Sequence, residues 1–312
     1  MDQKILKNLE LVNGEVDRLL STSPLIIRKY TQHLSNAKGK GIRALSVLTS
    51  AMDENQNIHE DAYTFAAGIE ILHLATLVHD DVMDDADSRR GIPTLHTLYG
   101  RKTAVITGDY LLALAMTLMN NVEDKVKYID YDFSKIILDI AIGELSQHIN
   151  NGNHDLTIPE YLEIIKGKTA RLFEASFYAG IITYSTDSKE IDSYRKMGEL
   201  IGMMFQINDD MIDFLQDENE ALKPVQSDYE QGVMTLPLLY AFEKEPKLRK
   251  EKLDRNIINA IVKKFDGVGF SKNKSKAFYD EAIAILNGLE LDPVKYSIIK
   301  ELLDKAHNTI LN

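Results

Sequence analysis

Two short runs of carboxylates are the part of this 312-residue sequence best suited to chemistry. Asp80-Asp81-Val82-Met83-Asp84 and Asp209-Asp210-Met211-Ile212-Asp213 repeat one pattern, D-D-x-x-D. On a helix, positions i and i+4 share a face with Cβ atoms roughly 5–6 Å apart, which sets Asp80 beside Asp84 and Asp209 beside Asp213. Like charges at that spacing repel unless a cation intervenes. Carboxylates alone suit Mg²⁺, which keeps several waters and commonly shares its ligands with a substrate phosphate. One acidic run is ordinarily a solvated helix end. Two runs, each closing an apolar helix, call for a common cause.

A phosphorylated ligand also needs cations from the protein. Arg89-Arg90 follow the first run, just before Gly91, and Lys168-Thr169 lie between the runs. Lys223 follows Asp213 by ten residues. Lys40 and Arg43, in Gly39-Lys40-Gly41-Ile42-Arg43, are expected on one face of a helix start, where the dipole adds its own preference for anions. The planar fork of arginine matches phosphate oxygens. Each of these cations taken singly is ordinarily a solvated surface charge.

The elements that position these groups read as helices. Apolar residues recur at helical spacing, and glycine (17) and proline (7) are scarce. The pattern predicts helices near 3–20, 24–35, 42–53, 59–84, 101–121, 131–149, 158–184, 188–214, 234–244, 253–265, 273–288 and 292–310. Ser23-Pro24 reads as an N-cap and first-turn proline, and Thr157 with Glu160 as a capping box. Asp187 with Glu190 is similar. Two segments are apolar nearly all round, as in a helix inside a protein. They are Phe65–Val78, interrupted by Glu70 and His73, and Leu200–Ile207, interrupted by Gln206. Each leads into an aspartate run. Without a linker rich in proline, glycine or serine, one domain over 1–312 is expected. Asn150–Asp155 and Asp217–Gln231 read as loops.

Composition narrows the classes. Acidic residues (48) outnumber basic ones (36), for a net charge of −12, which argues against a nucleic-acid partner. The absence of cysteine excludes disulfides, thiolate metal sites and a cysteine nucleophile, and fits a cytoplasmic location. The N-terminus lacks a signal-peptide pattern, and no uninterrupted apolar run reaches the roughly 20 residues of a transmembrane segment. Thr103–Met119 comes nearest, interrupted by Asp109.

Together these segments resemble the trans-prenyl diphosphate synthases, or polyprenyl synthetases, from about Lys38 to Pro237. The resemblance is carried by both aspartate runs, His73, Arg89-Arg90-Gly91, Lys168-Thr169, Phe205-Gln206 and Thr235-Leu236-Pro237, in order and spacing. It implies an all-α isoprenoid synthase fold, a bundle of long, mostly antiparallel helices around a central apolar cavity. Asp80, Asp84 and Asp209 would hold Mg²⁺, roughly three ions per site, with Asp81, Asp210 and Asp213 supporting. The allylic diphosphate would meet Arg89, Lys168, Thr169, Gln206 and Lys223. Isopentenyl diphosphate would meet Lys40, Arg43, His73 and Arg90. A homodimer is implied, and a small partner subunit is the alternative. Departures from the family pattern are Gly41, Ala44, Leu222 and Val233, and a C-terminus from His307 to Asn312 without a basic residue. His79 reads as structural.

The family's growing tail would run along the helix before Asp80, where Leu72, Ala75 and Thr76 form its floor. The latter two, roughly one turn above Asp80, are small, so a product of about C25 or longer is expected; C20 geranylgeranyl or C15 farnesyl diphosphate is the alternative. An HD-type phosphohydrolase would use His73, His79 and Asp80 but leaves the second aspartate run unexplained. A terpene cyclase would carry a different second motif.

Overall fold

The computed structural model describes residues 2–36, 39–122, 128, 131–215, 229, 231–251 and 253–308, apart from the Asp213 side chain. The expected all-α class is observed. Among the described residues the paired strands are β1 (Ser88–Arg89) and β2 (Ile92–Pro93), a two-residue antiparallel pairing. The chain divides into two compact units.

The first unit comprises Met1–Ser134, Ala175–Tyr194 and Leu291–Ile299. Its helices are α1 (Gln3–Ser21), α2 (Leu25–Ser35), α3 (Ile42–Ser50), α4 (Glu60–Met83), α5 (Leu95–Tyr99) and α6 (Arg101–Met119). Helix α4 is the core of this unit. Its N-cap His59 accepts from the Asp61 N–H, and Glu60 and Asp61 face the positive helix end. Phe65, Ile69, Ile71, Leu72, Ala75 and Val78 are all buried, which explains its apolar circumference. It packs on α3 and, antiparallel, on α6. Gly68 receives Met119 at one end of that seam, and His79 rests on Gly108 at the other. Helices α4 and α6 match a bilayer span in length and composition, but 56% of the α4 window is buried inside the protein, as for a core helix. Phe65, Tyr128, Tyr131 and Tyr178 form an aromatic cluster over the start of α4. Tyr128 Oη donates to Asp61 (2.9 Å).

The second unit comprises Lys135–Glu174, Arg195–Glu290 and Lys300–Asn312. Helix α7 (Phe133–Ile149) lies mostly within it. The predicted helix 158–184 is three pieces: α8 (Ile158–Ile165), a π-helical turn (Lys166–Ala170) and α9 (Arg171–Ile181). Helix α10 (Ser188–Leu215) follows, then α11 (Leu236–Lys244), α12 (Arg255–Lys264), α13 (Gly267–Asn287) and α14 (Pro293–His307). The core joins Tyr161, Ile165, Met203, Ile207, Leu239 and Phe242.

The Thr157–Glu160 capping box is present. The cap at Ser23 is a correction: Pro24 is the N-cap of α2, and Ser23 Oγ turns back to the Leu19 carbonyl (3.0 Å). The hairpin β1–β2 and α5 escaped the periodic reading because two and five residues are too short to show a period. Helix α13 begins at Gly267 rather than near 273, because Asp266 accepts from the Gly269 N–H and so caps a first turn that holds two glycines, Gly267 and Gly269. Most of the expected loop Asp217–Gln231, with Leu222 and Lys223, lies outside the described residues.

Candidate active site

The first aspartate run closes α4, with Asp84 as its C-cap. A helix C-terminus carries the negative end of the dipole, and the last turn of α4 has no basic residue. Asp80 and Asp84 therefore oppose each other and the helix, a tension that a hard cation relieves. Asp81 has a different role. It is 6% exposed and accepts from Arg89 Nε at 2.5 Å. Burial raises its pKa, and the Arg89 guanidinium pulls the other way. Arg89 ends β1, and the chain reverses through Arg90 and Gly91, both at positive φ (52° and 79°). Two such residues give a turn whose twist suits a hairpin, though arginine rarely adopts it. The reversal lays the Arg90 guanidinium against Gly39, where a Cβ would stand 2.8 Å from one nitrogen.

Arg90 thereby enters a cleft whose lining includes Gly39, Gly41, Glu70, His73 and Leu77. Arg43 joins it from α3. Its Nη1 donates to His73 Nε2 at 3.1 Å, which requires a neutral imidazole protonated on Nδ1. Burial, then Arg43, Arg90 and Arg89, hold the His73 pKa well below the ordinary value. Burial also pushes Arg43 down to about 10. Lys40 does not share a helical face with Arg43, which corrects the sequence reading. Gly41, left-handed at φ 61°, is the N-cap of α3, so Lys40 precedes the helix and is exposed. Arg43, His73 and Arg90 are brought together, and Glu70 stands with them, accepting the Ala44 N–H at 2.9 Å. Glu70 and His73 are the two polar interruptions of an otherwise apolar helix, and spacing alone gives Glu70 no role.

The second run repeats this division within its own unit. Asp209 is exposed, whereas Asp210 is 4% exposed. Asp210 accepts from Tyr161 Oη (2.6 Å) and Gln206 Nε2 (2.8 Å). Thr169 Oγ1 donates to Gln206 Oε1 (2.7 Å). Thr169 and Lys168 sit in the π turn, a local underwinding common at functional sites. Lys168 Nζ pairs with Glu144 Oε2 of α7 at 2.9 Å. The pair is close because Gly143 and Gly167 meet backbone to backbone: a Cβ on Gly143 would stand 2.3 Å from Lys168 N. Tyr161 and Glu144 were not anticipated, since nothing in their spacing marks them. The Asp213 side chain and Lys223 lie outside the described residues.

Along α4, Ile69, His73, Thr76, Asp80 and Asp84 form one stripe by helical spacing. Thr76 on it is partly accessible. Ala75 and Leu72, each 2% exposed, fall instead on the stripe of Gly68 and His79, which packs against α6. His79 Nε2 also approaches the Val105 carbonyl (3.3 Å), a structural contact.

Among the described residues no three His, Cys, Asp or Glu side chains converge into an all-protein metal cage. Asp80 with Asp84 in the first unit, and accessible Asp209 in the second, each offer one or two carboxylates, a donor type that fits Mg²⁺ completing its shell with water and phosphate oxygens.

The polyprenyl synthetase family profile matches residues 24–265. A heptaprenyl diphosphate synthase component 2 from Bacillus subtilis is 34% identical over 292 residues, 90% of this chain and 82% of that protein. The crystal structure of a heptaprenyl diphosphate synthase from Staphylococcus aureus superposes with a TM-score of 0.89 at 30% identity, covering 97% of this chain and 98% of that one. A polyprenyl synthase from Caulobacter crescentus, complexed with calcium and isoprenyl diphosphate, gives 0.83 at 28% identity over 97% and 96% of the two chains. With its aspartate runs, its cationic cleft and these matches across most of its length, the chain belongs to the polyprenyl synthetase family and is a prenyltransferase.

Proposed function

We propose that the chain, acting as one synthase domain, condenses isopentenyl diphosphate with an allylic diphosphate to give an all-trans polyprenyl diphosphate. The observation that carries this is the division of labour repeated in the two aspartate runs. In each, the first aspartate is accessible and the second is buried and tied by hydrogen bonds. The first is thus placed to ligate and the second to brace.

Asp80, Asp84 and Asp209 would hold Mg²⁺, three ions in the family's pattern, and Asp213 would assist. When bound, the metal neutralises the diphosphate and stabilises its departure. Lys168 and Arg89, with Lys223, bind the same diphosphate, and their charge favours the leaving pyrophosphate. Thr169 and Gln206 present oxygen atoms toward the developing allylic cation. Arg43, His73, Arg90 and Lys40 bind the diphosphate of isopentenyl diphosphate. Neutral His73 acts there as a hydrogen-bond donor through Nδ1 and takes no part as a base. The double bond of isopentenyl diphosphate attacks the allylic carbon as pyrophosphate leaves, and the proton then lost goes to that pyrophosphate.

The tail runs back from Asp80 along the stripe bearing Thr76, with Leu72 and Ala75 behind it in the α4–α6 seam. Ala75 and Thr76 are both small, which supports a product of about C25 or longer, each helical turn accommodating roughly one C5 unit. The enzyme is a cytoplasmic homodimer in this reading. The B. subtilis relative is named a component, which favours a second reading, a catalytic subunit that works with a small partner. The test is mass spectrometry of products from isopentenyl diphosphate with C10, C15 or C20 allylic diphosphates and Mg²⁺, using the purified chain alone. Elongated products establish the reaction and the sufficiency of one chain. No elongation with any primer refutes the single-component reading.

A further inference from the structure

Glu70 is a carboxylate set in the wall of the cleft that Arg90 and His73 also line, and the proposed reaction gives it no role. It lies on α4 one turn before His73 and lines the same cleft as Arg90. Its Oε1 accepts the backbone N–H of Ala44 at 2.9 Å. Ala44 is the third residue of α3, whose N-cap, Gly41, has no side chain to satisfy the first-turn N–H groups. A residue of the neighbouring helix therefore does the work of the missing cap. Arg43 and Arg90 both act on the Glu70 carboxylate by charge attraction, while each disfavours the positive charge of His73. Two guanidiniums and a helix N-terminus crowded into one cleft repel each other, and Glu70, the carboxylate on which both Arg43 and Arg90 act, eases their assembly before a ligand arrives.

From this arrangement, and resting on the substrate assignment above, we infer that Glu70 is a positioning residue for the isopentenyl diphosphate site: it pins the start of α3 and holds Arg43 and Arg90 in the geometry that receives a diphosphate. Glu70 touches no reacting atom. Its contribution is preorganisation, so its loss raises KM for one substrate and spares the chemical step.

The test is Glu70→Gln. The amide keeps an oxygen for the Ala44 N–H and removes the charge. The expected result is a rise of about tenfold in KM for isopentenyl diphosphate, with KM for the C15 allylic diphosphate and kcat each within about twofold of wild type. In an Arg90→Gln background the same substitution is expected to have a smaller effect, because one of its partners is gone. An unchanged or lowered KM for isopentenyl diphosphate overturns the inference, as does a parallel loss on both substrates. Should Glu70→Gln not fold, Glu70→Asp, which keeps the charge and shortens the reach, is read by the same split between substrates. Wild-type enzyme is assayed first. Absence of any product there refutes the single-component reading on which this inference rests, whereas product formation with no split in the variant overturns only the role of Glu70.

Discussion

The glycine pair under Lys168 gives the sharpest test of how this fold places its cations. A Cβ on Gly143 would lie 2.3 Å from Lys168 N, 2.5 Å from the Gly167 carbonyl carbon and 2.9 Å from Gly167 Cα. All three are backbone atoms, so no side-chain rotation relieves the clash. Restoring van der Waals contact requires α7 and the π turn to part by about 1 Å. Overpacking of this kind costs roughly 1–3 kcal/mol, and each kcal/mol lowers Tm by about 2–4 °C in a chain of this size. The same movement carries Lys168 away from Glu144, now 2.9 Å distant, and from the position proposed for it against the allylic diphosphate. A displacement of that size is worth about 10²-fold in catalysis. Gly143→Ala is therefore expected to lower Tm by several degrees and kcat/KM for the allylic substrate by about 10²-fold. Gly167→Ala is milder, since its Cβ would meet Gly143 Cα at 2.9 Å and the Asp139 carbonyl at 3.3 Å. Thermal unfolding and steady-state kinetics at saturating isopentenyl diphosphate read both effects. A Gly143→Ala enzyme with wild-type Tm and kcat/KM, or a Gly167→Ala enzyme more damaged than it, refutes the reasoning.

Other substitutions and pH changes have equally definite outcomes. Thr76→Phe places a ring about 6 Å below Asp80 and is expected to shorten the product by at least one C5 unit in mass spectra; an unchanged product distribution removes Thr76 from the tail's path. Ala75→Phe puts the same ring into the α4–α6 seam and is expected to cost roughly 1–3 kcal/mol of stability by overpacking, with any product change secondary to the fall in Tm. His73 has a depressed pKa when folded, so below about pH 6.5 the unfolded chain takes up the extra proton. Its contribution to stability is complete above that pH and is lost as pH falls, and the Tm of wild type is expected to drop more steeply into acid than that of His73→Gln. Lys295 Nζ is buried on the carbonyls of Ser50 (3.1 Å) and Met52 (2.7 Å), and burial lowers its pKa to about 8. Between there and its unfolded value the unfolded chain binds more protons, so stability rises with pH by up to about 3 kcal/mol. The Tm of wild type relative to Lys295→Met is expected to climb between pH 8 and 10, and a flat difference refutes the shift.

Much of this enzyme is legible along the chain because the relevant rules are local. The i, i+4 spacing of Asp80 and Asp84 and of Asp209 and Asp213 marks two cation-seeking helix ends. The apolar circumference before Asp80 foretells a buried helix, and α4 is one. Thr157 and Glu160 announce a cap that forms as written. Helical period and capping involve neighbours within a few residues, so sequence alone carries them, and with them the all-α class.

Distance in the chain defeats the same rules. Lys40 and Arg43 read as one helical face until the left-handed Gly41 starts α3 after Lys40. The π turn that presents Lys168 exists because Gly143 and Gly167 touch, a contact across 24 residues that no periodicity records. Only the packed structure shows Asp81 committed to Arg89, Asp210 to Tyr161 and Gln206, and Glu70 to the start of α3. Residue type determined which charges this chain possesses. Which of them stay accessible for a ligand, and which are spent bracing the others, was decided by burial and hydrogen-bond geometry, because an unpaired charge inside a protein is too costly to persist.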